Sequence, residues 1–260
     1  MVSISLHDVV IALGGRLVIK GISAQLDAGS LVGIVGPNGA GKSTLVRAMT
    51  GLIPIASGNI DFDNHPVASL PRQQIAKCLA YLPQGQTLHW PLTVERLVAL
   101  GRLPHLAPLS KISANDQIIV EESMRRADVL DLRHRNATHI SGGERARVML
   151  ARALAVDAAS LIVDEPLASL DPGHQIDVMT LLANEAKEGS LVVAVLHDLV
   201  MAARYCDRLM LIDNGCLIAD GSPENVLTPQ NLAEVYGVTA HFNYETSPPL
   251  IVPISRSMSK

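Results

Sequence analysis

Residues 36–44 read Gly36-Pro37-Asn38-Gly39-Ala40-Gly41-Lys42-Ser43-Thr44, and the G-x-x-x-x-G-K-S spacing suits the cradling of phosphate. The glycines let the backbone curl until its N–H groups point inward at phosphate oxygens. Lys42 would reach the β- and γ-phosphates, and the Ser43 hydroxyl would hold Mg2+. Downstream, Leu161-Ile162-Val163-Asp164-Glu165 is an apolar run that ends in two carboxylates. Asp164 would bind Mg2+ through its water shell, and Glu165 would orient and deprotonate an attacking water. The plain alternative is a strand that leaves the core at acidic residues.

Ile140-Ser141-Gly142-Gly143-Glu144 carries two readings at once. Ser141 and Glu144 form an S-x-x-E capping box at a helix start. A glycine inside a helix costs about 1 kcal/mol against alanine. Two in a first turn serve stability poorly, but they bare backbone N–H groups to an anion. The segment is expected both to cap a helix and to contact phosphate. Ser169-Leu170-Asp171 follows the paired carboxylates. His197 follows an apolar run ending at Leu196, where it could hold a γ-phosphate or an attacking water. Gln84, after Ala80-Tyr81-Leu82-Pro83, is a neutral amide able to sense Mg2+ or water.

These groups need a scaffold that brings strand ends together. Leu31-Val32-Gly33-Ile34-Val35 reads as a buried parallel strand, and Thr44 to Thr50 as a helix that Gly51 stops. Strand, loop and helix in that order put a helix N-terminus behind bound phosphate. Further buried strands are expected at Leu161–Val163 and Leu191–Leu196. Another, Arg208–Ile212, leads into an Asn214-Gly215 hairpin turn. Alternation at Val2, Ile4, Leu6 and at Ile22, Ala24, Leu26 suggests antiparallel strands flanking this core. Between about 86 and 155 the pattern turns helical, with breaks at Pro104 and Pro108. The tail beyond about 236, with Pro248, Pro249 and Pro253, reads as a loosely packed extension.

The 260 residues can bury a full α/β core, and a net charge of −4 gives no pull toward nucleic acid. Cys78, Cys206 and Cys216 lack metal-ligand spacing and read as free thiols of a reducing compartment. Met1-Val2-Ser3-Ile4-Ser5 shows no secretory pattern, and no apolar run approaches the roughly 20 residues of a membrane span. Membrane work would go through partners. Trp90 is the single tryptophan.

Together and in this order, these motifs resemble the ATP-binding subunits of ABC transporters, over nearly the whole chain to about residue 240. The Ser-Gly-Gly segment discriminates, because other phosphate-loop classes lack it. The resemblance implies an α/β fold: a P-loop NTPase, RecA-like core with an N-terminal antiparallel β-subdomain and an inserted helical subdomain. Residues 1–236 would form the ATPase domain, with the core in 1–85 and 156–236 and the helical part at about 86–155. Residues 237–260 would be a C-terminal extension. It further implies a head-to-tail homodimer with ATP held between one copy's phosphate loop and the other's Ser-Gly-Gly helix. Residues Gly36 to Thr44 would bind the phosphates and, with Asp164, Mg2+. Gln84 would link the ATP site and its metal to a membrane subunit. Ser141, Gly142 and Gly143 would reach the partner's γ-phosphate. Glu165 would be the general base, Asp171 part of the dimer-spanning loop, and His197 the switch histidine, with Lys42 stabilising charge.

The departures are Ile140 and Glu144, where the family has Leu and Gln, and Leu13, where it often places an aromatic that stacks on adenine. No aromatic residue stands between Met1 and the phosphate loop. Looser adenine selectivity is expected. Trp90-Pro91-Leu92-Thr93-Val94, Gly101-Arg102-Leu103-Pro104-His105, Leu227-Thr228-Pro229 and Glu234-Val235-Tyr236-Gly237-Val238 resemble importers of iron–siderophore, haem and cobalamin. The chain would then be a peripheral motor at the cytoplasmic face of the inner membrane. It would drive two polytopic permease subunits and, indirectly, a substrate-binding protein. A motor for zinc or molybdate, or a soluble regulatory ATPase, are the alternatives. Trp90 would anchor the permease or pack inside the helical subdomain.

Overall fold

The computed structural model describes residues 2–85, 88, 90–107, 110–168, 170–243 and 250–256. Pro108, Ser169, Pro248 and Pro249, which the sequence singled out, lie outside them. In chain order the elements are β1 (Ser3–Leu13), β2 (Arg16–Asp27), β3 (Ser30–Val35), α1 (Lys42–Met49), β4 (Ser57–Phe62), β5 (His65–Pro66), α2 (Arg72–Cys78) and β6 (Leu79–Leu82). Then come α3 (Val94–Ala99), α4 (Ala114–Arg126), α5 (Gly142–Leu154), β7 (Ser160–Asp164), α6 (Pro172–Lys187), β8 (Leu191–Val195), α7 (Leu199–Tyr205), β9 (Arg208–Asp213) and β10 (Cys216–Gly221). A second strand pair, β11 (Val238–Asn243) and β12 (Leu250–Arg256), closes the chain.

The expected mainly parallel sheet has the order β10-β9-β3-β8-β7-β6. Only β10 runs antiparallel, returned from β9 by the Asn214-Gly215 turn. Every residue of β8 is buried, because both faces of this sheet are covered. Leu191, Val193 and Val195 join a core shared with α1 and β1, while Val192 and Ala194 join the core that α5 and α6 line. Each such side chain contributes roughly 1.5–3 kcal/mol when fully buried. The antiparallel sheet expected of the N-terminal residues has the order β2-β1-β4-β5 and buries Ile4, Leu6, Ile22 and Leu26.

Helix α1 begins at Lys42, two residues earlier than the sequence pattern suggested, and stops where expected. Gly51 adopts φ +68°, Leu52 N donates to Arg47 O, and Gly51 N to Ala48 O. These two bonds satisfy carbonyls the helix end would otherwise leave open.

The helical stretch is α3, α4 and α5 with short 3-10 turns between them. Pro104 lies within one such turn, Leu100–His105, rather than at a chain break. The Gly-Arg-Leu-Pro-His segment acts here as a clasp. Buried Arg102 pairs with Asp116 at 2.8 Å and donates to Ala155 O and Val156 O, both at 3.0 Å. The His105 ring reaches Val156 O at 2.8 Å. The clasp ties the N-terminus of α4 to the carbonyl end of α5. Asp116 also completes a capping box with Ser113. These hydrogen bonds, above all those from Ser113, with the Arg102 guanidinium, hold the Asp116 carboxyl at about 2.

The tail departs from the loose packing expected of it. Strand β11 pairs with β12, and Ile251 is buried in the main core beside residues of α7. Apolar side chains at alternate strand positions override a proline-rich composition.

Candidate functional site

Strand order places the candidate groups. Gly36 follows β3, Glu165 follows β7, and His197 and Gln84 lie two residues beyond β8 and β6. Strands β3, β8, β7 and β6 are consecutive neighbours and run parallel. All four groups therefore emerge along one carboxyl edge of the sheet, the side on which open α/β sheets bind ligands.

At Gly36, φ is +147° and a Cβ would stand 2.0 Å from Ile212 O, so a side chain is excluded there. Pro37 is half-buried, Asn38 and Gly39 are exposed, and Ala40 is buried with its carbonyl accepting from Gly215 N. Gly41 caps α1 in a left-handed conformation, and Lys42, Ser43 and Thr44 begin the helix. Lys42 Nζ donates to Gly36 O at 2.8 Å and Pro37 O at 2.9 Å. Burial draws its ammonium pKa down, opposed by the charges of Glu165 and Asp164. A desolvated ammonium beside a glycine-rich loop at a helix N-terminus suits a polyanion.

Ser43 Oγ donates to Asp164 Oδ1 at 3.0 Å. The other carboxylate oxygen, Oδ2, is buried without a well-formed hydrogen bond. Burial raises the Asp164 pKa, and the Glu165 charge adds to the effect. A buried acidic oxygen lacking a partner, next to a serine hydroxyl, is a donor set that fits Mg2+. Among the described residues no group of three His, Cys, Asp or Glu side chains could hold a metal alone. A cation here would draw its remaining ligands from phosphate oxygens and water.

Glu165 adopts φ +53°, unusual for a residue with a side chain. Such backbone costs of order 1–3 kcal/mol and gathers at functional sites. It aims the carboxylate between two neighbours. Gln84 Nε2 donates to Oε2 at 2.5 Å, and His197 Nε2 lies 2.5 Å from Oε1. The structure thus joins the three groups that the sequence placed on separate strands.

Ser141 caps α5 as expected. Its side chain accepts from Glu144 N, and the Glu144 carboxylate takes Ser141 N at 2.7 Å. That backbone bond is the main cause of a lowered Glu144 pKa. Gly142 has open space where a Cβ would stand, and Gly143 has only ordinary contact with Leu170 and His174. Gly142 lines a cavity of about 260 Å³ with Pro83, Gly85, Asp164 and Glu165, but no phosphate-loop residue lines it. Among the described residues no hydrogen bond joins Ser141–Gly143 to the phosphate loop of the same chain.

Asp171 caps α6. Its carboxylate accepts from His174 N at 3.0 Å and meets His174 Nδ1 at 2.7 Å; the bond from His174 N leads the causes that lower its pKa. Sequence reasoning missed His174 and its neighbour Gln175. The spacing of Asp171 and His174, Ncap to N3, was the available signal. It also missed Tyr81, whose buried hydroxyl lies near Asp164 and Arg47. Leu13 is half-exposed at the β1–β2 turn, and Trp90 is 75% exposed, which removes the packing alternative for it.

A strand–loop–helix phosphate cradle beside a buried aspartate and a flanked glutamate defines the class: a nucleoside triphosphatase of the P-loop type. The sequence profile of the ABC transporter family matches residues 19–168. The chain is 43% identical to the hemin import ATP-binding protein HmuV of Nocardia farcinica, over 85% of this chain and 76% of that protein. It is 40% identical to the cobalamin import ATP-binding protein BtuD of Halobacterium salinarum, over 87% of this chain and 56% of that one. A chain described as part of a metal-chelate type ABC transporter, in an inward-facing conformation, superposes with a TM-score of 0.84 at 22% identity over 97% of both chains, which is a likeness of fold. The chain belongs to the ABC transporter family as an ATP-binding subunit. No helix among the described residues is long and apolar enough to cross a membrane.

Proposed function

We propose that this chain is the ATP-hydrolysing motor of an importer for a metal chelate, haem or a related iron or cobalt complex, acting through a separate permease. The observation that carries the motor reading is the meeting of Gln84 and His197 on Glu165 beside the Ser43–Asp164 pair. The cargo reading is supported by relatives whose names specify hemin and cobalamin import.

In this reading the phosphate loop and Lys42 hold the triphosphate, and Glu165 accepts the proton of the attacking water while His197 orients it. Mg2+, held by Ser43 and Asp164, would neutralise charge on the phosphates. Among the described residues Gly142 and Gly143 make no hydrogen bond to the phosphate loop of their own chain, and that loop lines no part of the Gly142 cavity, which supports a composite site completed by a second copy. Nucleotide binding would favour the closed pair and so move the permease.

The permease side is supported by exposed apolar residues. Trp90 is 75% exposed, Leu52 60% and Leu103 58%. Leu52 also lines an apolar cavity of about 320 Å³ with Ile75, Tyr81 and Pro104. A stiff aromatic in such a place is a typical interface anchor. The motor would sit at the cytoplasmic face of the inner membrane, with two permease subunits and, through them, a substrate-binding protein.

The test is uptake in a deletion strain supplied in turn with haem, iron–siderophore and cobalamin. Loss of uptake for one of them, restored by this chain, is expected. Uptake of all three at wild-type rates with loss of zinc or molybdate uptake would replace the cargo.

A further inference from the structure

The loop between Glu165 and α6 is held by two side chains that the reading above leaves without a role. His174 is the third residue of α6 and Gln175 the fourth. His174 Nδ1 meets Asp171 Oδ2 at 2.7 Å. A carboxylate only accepts, so Nδ1 carries the proton and donates. Gln175 Nε2 donates to Leu170 O at 3.2 Å, and Gln175 N to Asp171 O at 3.0 Å. Consecutive residues of one helix turn therefore grip both the carboxylate and the main chain of the loop.

Each grip also touches a different part of the site. A Cβ on Gly143, in the first turn of α5, would stand 3.9 Å from His174 Nδ1 and 3.6 Å from Leu170 Cδ2. The first turn of α5 thus lies beside the His174 ring and the buried Leu170 side chain, one methyl group's width away. On the other side, Gln175 lines a cavity of about 150 Å³ with Glu165, Ala168, Leu196 and His197. Within this loop Ala168 N returns to Glu165 O at 3.3 Å, and Leu170 N to Leu167 O at 3.2 Å. The line of neighbours runs from Gly143 past His174 and Leu170 to Gln175 and the wall beside Glu165.

We infer that His174 and Gln175 are positioning residues for hydrolysis, holding the Leu170–Asp171 loop so that the position of the α5 N-terminus is passed to Glu165 and His197. The inference rests on the hydrolytic reading given above. Neither side chain touches the reacting atoms in it; both act through the loop. Misplacing a catalytic group by a fraction of an ångström lowers turnover without removing the binding site.

The test compares His174→Ala, His174→Asn, Gln175→Leu and, separately, Glu165→Gln in the full-length chain, with ATP hydrolysis and melting temperature as readouts. His174→Ala and Gln175→Leu should each lower kcat by roughly tenfold while KM for ATP stays within about twofold. His174→Asn, whose amide can still donate to Asp171, should recover most of the lost kcat. Melting temperatures should move by no more than about 3 °C, since the bonds lost are half-exposed. Wild-type kcat in His174→Ala, with Glu165→Gln inactive, overturns this inference and leaves the hydrolytic reading standing. A joint fall of kcat, KM performance and melting temperature that His174→Asn does not repair also overturns it, because the role is then structural. Undiminished turnover in Glu165→Gln overturns the hydrolytic reading first, and this inference with it.

Discussion

His197 Nε2 stands 2.5 Å from Glu165 Oε1, although the two residues follow different strands and lie 32 positions apart. The Glu165 carboxylate is held by an imidazole on one oxygen and by the Gln84 amide on the other. Glu165→Gln keeps the shape and removes the group proposed as the base. It should bind ATP, accumulate as a closed dimer and lose turnover by at least about 100-fold, the lower end of a general-base contribution. Steady-state hydrolysis and size-exclusion chromatography with ATP read both effects. A variant that turns over near the wild-type rate would remove Glu165 from its role.

Gly143→Ala separates capping from phosphate contact. A Cβ there meets only ordinary van der Waals neighbours, and alanine favours helix by up to about 1 kcal/mol. The subunit should melt at the same or a slightly higher temperature. In the proposed composite site ATP-driven dimerisation and hydrolysis should nevertheless fall, because a methyl group would stand among the N–H groups that would meet the partner's phosphate. Full activity in this variant would leave the glycines with no role beyond the helix start.

Leu13→Tyr tests the base site. In the place of the expected aromatic, the half-exposed Leu13 would offer adenine aliphatic contact alone, so the wild type should hydrolyse GTP at a rate close to that with ATP. Tyrosine should tighten ATP binding by roughly 1–3 kcal/mol of stacking. Nucleotide titrations and paired hydrolysis assays measure this. Strong wild-type discrimination against GTP would show that other groups read the base.

Asp116 provides a pH signature. Its folded pKa of about 2 lies below the ordinary carboxylate value, so its stabilising contribution is present above pH ~4 and lost as pH falls toward 2. Asp116→Asn should melt below wild type at pH 7, and the gap should shrink as pH falls through that window. Arg102→Met, which leaves Asp116 and two carbonyls short of their partner, should cost about 3–5 kcal/mol. Equal melting curves for Asp116→Asn and wild type at pH 7 would dismiss the clasp as a stabilising element.

The local chemistry was legible in the residues. The Gly36–Thr44 loop, the apolar run into Asp164 and Glu165, and the Ser141–Glu144 box are encoded within a few neighbouring positions, where turn sterics, burial and capping decide the outcome. The roles of Arg102 and Trp90 were not legible. The same Gly-Arg-Leu-Pro-His text that suggested a kind of transporter turns out to clasp α4 to α5, and only exposure shows that Trp90 is free to meet a partner. The tail misled because prolines speak for local stiffness, whereas the β11–β12 pairing and buried Ile251 depend on a surface contributed by α7.

The sequence by itself determined which groups could bind phosphate, take a proton and cap a helix, since each depends on spacing along the chain. The tertiary structure decided which of them meet. Gln84, Glu165 and His197 converge because β6, β7 and β8 are adjacent in the sheet, and that order follows from long-range burial of both sheet faces. The same packing leaves Gly142 lining a cavity to which no residue of the phosphate loop contributes, the arrangement on which the proposed sharing of a phosphate site between two copies rests.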